Sequence, residues 1–367
     1  MRQAYYNGIV YTGNQVLTHV AVLADGYQVL DIVPQDAIPE GFQQIDVQGN
    51  HIAPGLVDLQ IYGGNGKLFS LYPDVSSLQA TEQYSKEGGA LYFQPTVATH
   101  EPALMEKALA AYRQYRDAGG QAAIGVHWEG PFLNPQKRGA HLEKYIRRLQ
   151  KDEAKQLAQY HDALRMITLA PECCDAACVE ILLQAGIRVS AGHSAATYAQ
   201  AMQAFSQTGI RLATHLFNAM SPLQTREPGL AGAILDHPQV YASIIADGIH
   251  VHPANIRLSK AIMAERLFLI TDAVEENKQG SSYIYLRQPD RFVNQEGTLA
   301  GSTLTMLKAV AFCVEQVGIP LDEALRMASW YPAKAIGLAH QIGLLQPGYR
   351  SGVIVFDKHF HLLHRSV

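Results

Sequence analysis

Glu129, His193 and His215 lie far apart in the chain, yet each closes a short apolar run. The runs are Val126-His127-Trp128-Glu129-Gly130-Pro131, Ser190-Ala191-Gly192-His193-Ser194 and Ala213-Thr214-His215-Leu216-Phe217-Asn218. One carboxylate and two imidazoles fill three positions around a tetrahedral divalent ion and leave the fourth for water, as hydrolytic sites require. Such an ion lowers the pKa of water and polarises a carbonyl. Asp272, in Leu269-Ile270-Thr271-Asp272-Ala273, is a carboxylate that can take a proton from water and return it to a leaving amine. It is also well suited to N-cap a helix after the strand. Other runs end in the same kind of residue: Asp58 and Gln60, His100, His127 beside Glu129, Glu172, Asn218, Asp247 and His250. A single buried histidine is more often a satisfied core residue than a ligand. Run ends chosen independently by packing would not all select polar or ionisable side chains, so the signal is the set.

To act together these residues need a scaffold that gathers strand ends. The apolar runs predict strands at Gly55–Ile61, Leu91–Val97, Ala123–Trp128, Met166–Ala170, Ile187–Ala191, Arg211–Thr214, Tyr241–Ala246 and Leu267–Ile270. Segments long enough for helices separate them, such as Glu101–Ala118 and Ala195–Ser206. Repeated βα units of this number predict an α/β fold closed into a (β/α)8 TIM barrel, whose active site lies at the C-terminal rim of the strands. Both chain ends read differently. Gly8–Asn14 and Val20–Gly26 are short strand patterns, with Asp25-Gly26 as a hairpin signal, and Val353-Ile354-Val355-Phe356 is another. The expected division is a barrel over 53–338 and one small β-sandwich domain built from 1–52 and 339–367.

With 367 residues, 48% hydrophobic and 17% charged, the chain can build a large core plus a smaller one and is not disordered. A net charge of -4 gives no general attraction to nucleic acid or to anionic membranes, so an anionic substrate needs a few local groups. The start, Met1-Arg2-Gln3-Ala4-Tyr5-Tyr6, lacks the apolar run of a signal peptide, and no uninterrupted apolar stretch is long enough to span a bilayer. Cys173, Cys174, Cys178 and Cys313 have neither zinc-finger nor disulfide spacing and read as small buried helix residues. A reducing, cytoplasmic setting is expected.

Several segments taken together resemble the N-acetylglucosamine-6-phosphate deacetylases of the amidohydrolase superfamily. They are His127-Trp128-Glu129-Gly130-Pro131-Phe132, Arg138-Gly139-Ala140-His141, Gly192-His193-Ser194 and Thr214-His215-Leu216-Phe217-Asn218-Ala219-Met220, with Ala246-Asp247-Gly248-Ile249-His250 and Leu299-Ala300-Gly301-Ser302. The resemblance runs from Pro54-Gly55-Leu56-Val57-Asp58 to Pro347-Gly348. It implies that Glu129, His193 and His215 hold a metal, that Asp272 is the acid/base, and that His141 contacts the sugar and polarises the amide carbonyl. Ala140, Asn218, Ala219 and His250 would meet sugar or phosphate groups, and Leu299, Ala300 and Gly301 would line the pocket. Arg226 resembles the family's phosphate-binding arginine, lent across a homodimer interface. A planar, permanently charged guanidinium suits phosphate. The implied cofactor is one divalent ion per subunit, Zn2+ first, with Fe2+, Co2+ and Mn2+ as alternatives. The implied partner is a small sugar phosphate.

Two departures stand out. Many amidohydrolases carry His-x-His after the first strand and use a second metal, and some of these deacetylases carry Gln-x-Asn and use one. Here the residues are Gln60-Ile61-Tyr62, which match neither form; a neutral amide and a phenol are poor ligands, so one metal is expected. After Asp272 the loop Val274-Glu275-Glu276-Asn277-Lys278 is acidic. The rival readings are a deacetylase of N-acetylgalactosamine 6-phosphate, another barrel amidohydrolase, and a catalytically silent barrel serving as a scaffold.

Overall fold

A computed structural model describes residues 2–278 and 282–367; Met1 lies outside the described residues. Eight parallel strands form the central sheet: β1 (Leu56–Ile61), β2 (Ala90–Ala98), β3 (Val126–Glu129), β4 (Leu164–Leu169), β5 (Arg188–Ala191), β6 (Leu212–Ala213), β7 (Tyr241–Ile245) and β8 (Leu267–Ile270). Every strand predicted from the sequence is present, with ends shifted by a few residues. They are recognisable because a strand covered on both faces reads as a continuous apolar run. Each pairs with its neighbour in sequence, as in Ile167 with Val189 and Ile244 with Leu269. The barrel closes where β1 meets the chain beyond β8: Asp272 N donates to Gln60 O at 2.9 Å and Tyr62 N to Ala273 O at 2.9 Å. Closure therefore sets Gln60 and Tyr62 against Asp272.

Outer helices bury one stripe against the strands. In the helix Pro102–Asp117, Met105, Ala108, Leu109 and Tyr112 are buried at the spacing of one helical face, and Pro102 starts the helix. The helix expected at Ala195–Ser206 instead spans Tyr198–Thr208. Thr197 and Gln200 form a capping box at its start, and Gly209 ends it in the left-handed region at φ 80°.

The two chain ends build a pair of small sheets. One has four strands, in the order Gln28–Pro34, Val20–Asp25, Arg2–Tyr6 and Gln43–Asp46. The other has five and joins both ends of the chain, because Val353–Phe356 pairs antiparallel with His51–Pro54. Val353 and Val355 enter the small core with Tyr5, Val22 and Ile52, while Ile354 and Phe356 enter the barrel core. The alternation of a strand thus couples the two units. The hairpin expected at Asp25-Gly26 forms between Val20–Asp25 and Gln28–Pro34.

The cysteine cluster is only partly as expected. Cys178 is buried on the helix Ala176–Gln184, but Cys173 and Cys174 sit half-buried in the turn before it, and all four cysteines are free thiols. A three-stranded flap, unforeseen in the sequence, follows β8: Leu286–Arg287, Arg291–Val293 and Leu299–Ser302. Its last strand returns to the rim at Gly301, at φ 127°. A side chain there would meet Val274 at 2.6 Å and the Asp272 carbonyl at 3.0 Å.

Candidate metal and catalytic centre

Glu129 is the last residue of β3, and His193, His215 and Asp272 sit just beyond β5, β6 and β8. Those last three have left-handed backbones, with φ of 47°, 37° and 53°. Non-glycine residues rarely adopt that region, at a cost of order 1–3 kcal/mol each, and such strain collects where a site demands a particular aim. Here it turns the chain abruptly, so each side chain points across the barrel mouth instead of along it. Ser243 Oγ accepts from His215 N at 2.8 Å and helps to hold that turn.

The four strand ends meet around Glu129. Its Oε1 lies 3.2 Å from His193 Nε2 and 2.9 Å from His215 Nε2, and the two imidazole nitrogens are 3.1 Å apart. His193 Nδ1 donates to the Lys137 carbonyl at 2.8 Å, so a neutral His193 ring presents its Nε2 lone pair to the other two atoms, as metal binding requires. Three buried donor atoms thus converge with no hydrogen to share between two of them, which suits a cation. Burial alone would raise the Glu129 carboxyl, but the charge of His193 and hydrogen bonds from His141, His193 and His215 bring it well below its usual range. Burial alone would lower His215; Glu129 and Asp272 overcome that and raise it.

Asp272 caps no helix, which removes the structural alternative for it. It is half-buried at the cavity, and the loss of solvent around its carboxyl, together with the charge of Glu129, raises it above the ordinary value. Gln60 Nε2 donates to Asp272 Oδ1 at 2.7 Å. On the opposite side, His141 Nε2 lies 3.2 Å from Glu129 Oε2, and His141 Nδ1 accepts from Thr99 N at 3.2 Å.

These groups open into a cavity of about 310 Å³. Of the residues singled out from the sequence, Glu129, Ala140, His141, His193, His215, Asn218, Ala219, His250, Asp272, Leu299, Ala300 and Gly301 line it. His250 Nδ1 donates to Asp247 Oδ2 at 2.5 Å, so its Nε2 is left for the cavity. Arg226 is not brought to this cavity. It is exposed on the loop after β6, without an ion pair or hydrogen bond among the described residues.

Other strand-end residues turn out to be supports. Glu172 accepts from Ala195 N at 2.7 Å, Ser194 Oγ at 2.7 Å and Asn134 Nδ2 at 2.9 Å, clamping the loop that carries His193. His127 lies below the site, 2.7 Å from Thr168 Oγ1, and His100 stacks on Tyr145 outside the cavity. Tyr62, Lys137, Tyr283 and Tyr285 line the cavity without having been assigned a site role. The last two lie just before the flap, in a stretch with no apolar periodicity to announce it, whereas Lys137 stands beside the Arg138-Gly139-Ala140-His141 segment already singled out.

Residues 51–366 match the amidohydrolase family, and residues 4–52 match the NagA composite domain. The N-acetylglucosamine-6-phosphate deacetylase of Haemophilus influenzae is 34% identical, over 99% of this chain and 97% of that one. The N-acetylgalactosamine-6-phosphate deacetylase of Escherichia coli O157:H7 is also 34% identical, over 94% and 92%. The crystal structure of N-acetylglucosamine-6-phosphate deacetylase from Pasteurella multocida is 36% identical and superposes with a TM-score of 0.95, covering 100% of this chain and 98% of that one.

Proposed function

Because this chain belongs to the amidohydrolase family, a metal-dependent one, we propose that it hydrolyses the acetamide of N-acetyl-D-glucosamine 6-phosphate to D-glucosamine 6-phosphate and acetate. The observation that carries the reading is the meeting of Glu129, His193 and His215 with Asp272 and His141 at one cavity. A cytoplasmic role in amino-sugar breakdown accords with this; among the described residues no helix is long and apolar enough to cross a membrane.

Glu129, His193 and His215 would hold one divalent ion, Zn2+ by preference, with Fe2+, Co2+ and Mn2+ sharing such donors. When bound, the ion supplies Lewis acidity at the amide carbonyl and at water. Asp272 takes the proton from the attacking water on its carboxylate and passes it to the amine nitrogen as the C–N bond breaks. His141 donates from Nε2 to the carbonyl oxygen as negative charge builds there. Gln60 keeps the Asp272 carboxylate aimed through its 2.7 Å hydrogen bond. Ala140, Asn218, Ala219 and His250 border the sugar side, and Leu299, Ala300 and Gly301 form the wall of the flap.

The phosphate needs a cation; among the described residues Lys137 lines the cavity but no arginine does, and a guanidinium binds phosphate through a planar fork. Arg226 would come from a second subunit of a homodimer. The face beside it supports this: Leu223 and Ile262 are each 55% exposed, around a groove shared with Pro228, Leu235 and Pro238.

A panel of acetylated amino sugars tests the reading, with acetate release as the readout. N-acetylglucosamine 6-phosphate should be turned over best, and the unphosphorylated sugar much more poorly. The galacto epimer belongs in the panel because a relative named for it shows the same 34% identity, over a somewhat smaller share of both chains. A preference for that epimer transfers the assignment to it, and no acetate from any member refutes the deacetylase reading.

A further inference from the structure

At the end of the barrel opposite the metal cavity, a second cavity of about 290 Å³ opens beside the starts of β4 and β5. Four arginines line it, each from a different element. Arg116 ends the helix Pro102–Asp117, Arg165 lies on β4, Arg188 begins β5, and Arg350 precedes the strand Val353–Phe356. The one carboxylate in the lining, Asp162, is held on both oxygens by Arg113, at 2.7 Å each. Among the described residues none of the four lining arginines has an ion pair. Arg165 Nη1 donates to the His161 carbonyl at 3.3 Å and Arg350 Nη2 to Gln121 Oε1 at 2.6 Å, while the guanidinium groups of Arg116 and Arg188 have no hydrogen bond among the described residues. In a chain with 29 basic and 33 acidic side chains, this gathering is not a by-product of net charge. A concave lining of one sign concentrates counter-ions.

The floor of the cavity also lacks a partner. Gln94 of β2 is 1% exposed, and its Oε1 has no hydrogen bond. A buried polar atom left unpaired is costly, so one in a cavity lining points to a group that enters from the cavity. The Tyr112 hydroxyl has no hydrogen-bond partner among the described residues either. Burial raises this phenol against the pull of Arg116 and Arg165, so it is a protonated donor within the field of both. Gly337, at φ 79°, leaves room for the wall: a side chain there would meet Arg188 Nη2 at 2.5 Å.

We propose that this cavity is a second anion site, separate from the metal centre, that takes the phosphate group of a small molecule. Each guanidinium fork pairs two phosphate oxygens at once, and forks from four elements suit a tetrahedral group better than a flat carboxylate. The bound group would tie β4 and β5 to the terminal domain through Arg350, whose N–H donates to Gln341 O at 2.7 Å and whose carbonyl accepts from the Tyr92 hydroxyl.

Full-length wild type, Arg165→Gln/Arg188→Gln, Arg116→Gln/Arg350→Gln and Gln94→Leu are titrated by calorimetry with inorganic phosphate and with glucose 6-phosphate. Lys151→Gln/Lys155→Gln, on the exposed helix Lys151–Ala158, is the control of equal charge loss. Phosphate held at the metal centre is common to all of these proteins, so the difference between isotherms belongs to this cavity. Either arginine pair should weaken that binding by at least roughly a hundredfold, as two charge-assisted hydrogen bonds are lost, and should abolish the rise in Tm that phosphate gives wild type. The lysine control should bind as wild type does. Isotherms unchanged in both arginine pairs, or an equal loss in the lysine control, overturn the proposal. Tighter binding of glucose 6-phosphate than of phosphate, levelled in Gln94→Leu, assigns the site to a phosphate ester, and equal binding assigns it to free phosphate. If one arginine pair does not fold, the other decides. None of these residues lines the metal cavity, so a chain that releases no acetate from any sugar would leave the isotherms and this inference untouched.

Discussion

Thr99 N donates to His141 Nδ1 at 3.2 Å, and this contact decides which ring nitrogen of the neutral imidazole carries its proton. With Nδ1 accepting, the hydrogen is on Nε2, which faces Glu129 and the cavity. Burial, with the charge of His193, pushes the ring down to about 4 against the pull of Glu129, so it is neutral near pH 7. A neutral Nε2–H donor is suited to a carbonyl oxygen that gains charge.

His141→Ala should therefore lower kcat by roughly 10²–10³, the cost of losing one oxyanion donor. Metal content should stay unchanged, because His141 is not among the three converging ligand atoms. Steady-state kinetics with elemental analysis check both. Turnover within a few-fold of wild type would remove His141 from the mechanism.

Asp272→Asn preserves an oxygen for the Gln60 hydrogen bond but removes the proton acceptor. The expected loss in turnover is at least about a hundredfold, again with metal retained. A variant that keeps near-normal turnover places the base elsewhere.

The barrel was legible in the sequence because its strands are buried on both faces and read as plain apolar runs. The site was legible because its residues close those runs at Glu129, His193, His215 and Asp272. Their left-handed backbones were not, since no residue type there signals positive φ as a glycine would. Glu172 looked like part of the chemistry and proved a brace, because a strand-end carboxylate reads the same whether it faces the cavity or the neighbouring loop. The flap from Leu286 to Ser302 escaped for another reason: its strands are only two, three and four residues long, too short for a periodic pattern to show. Residue spacing also leaves the exact edges of the small terminal domain open, and 1–52 with 339–367 remains the proposed division.

Asp58 gives a test of stability against pH. It lies at the barrel closure, accepting from Thr271 Oγ1 at 2.5 Å and from Thr271 N and Gln60 N at 3.2 Å each. Burial pushes its carboxyl up to about 7, the hydrogen bonds opposing and the charge of Asp272 adding. The folded chain then keeps a proton that the unfolded chain releases near pH 4, so this group's contribution to stability falls as pH rises from about 4 to 7 and is fully adverse above that. Raising the carboxyl from its ordinary value near 4 to about 7 corresponds to something on the order of 4 kcal/mol. Asp58→Asn should remove that slope. Urea unfolding of metal-free wild type and variant at pH 5 and pH 8 makes the comparison, and parallel pH dependences would show that Asp58 is ionised in the folded state.

Arg226 offers the sharpest test of a shared active site. Its loop is pinned at both ends: Ser221 N donates to Ser194 O at 3.0 Å, and Glu227 Oε1 accepts from Tyr198 N at 2.7 Å and Gly229 N at 3.0 Å. A pinned loop whose exposed arginine has no ion pair or hydrogen bond among the described residues is poorly placed to fold back over its own cavity. Asp272→Asn and Arg226→Ala subunits can be co-expressed with different tags and the hybrid dimer purified. If Arg226 acts across the interface, one site collects both defects, and the other combines intact Asp272 with the partner's intact arginine. That hybrid should recover close to about half of wild-type activity, as expected for one of two independent sites in a symmetric dimer. If Arg226 serves its own subunit, each site carries one defect and nothing is recovered. A hybrid no better than its two parents therefore rules out the shared site, whereas recovery near half cannot arise from an arginine acting within its own chain.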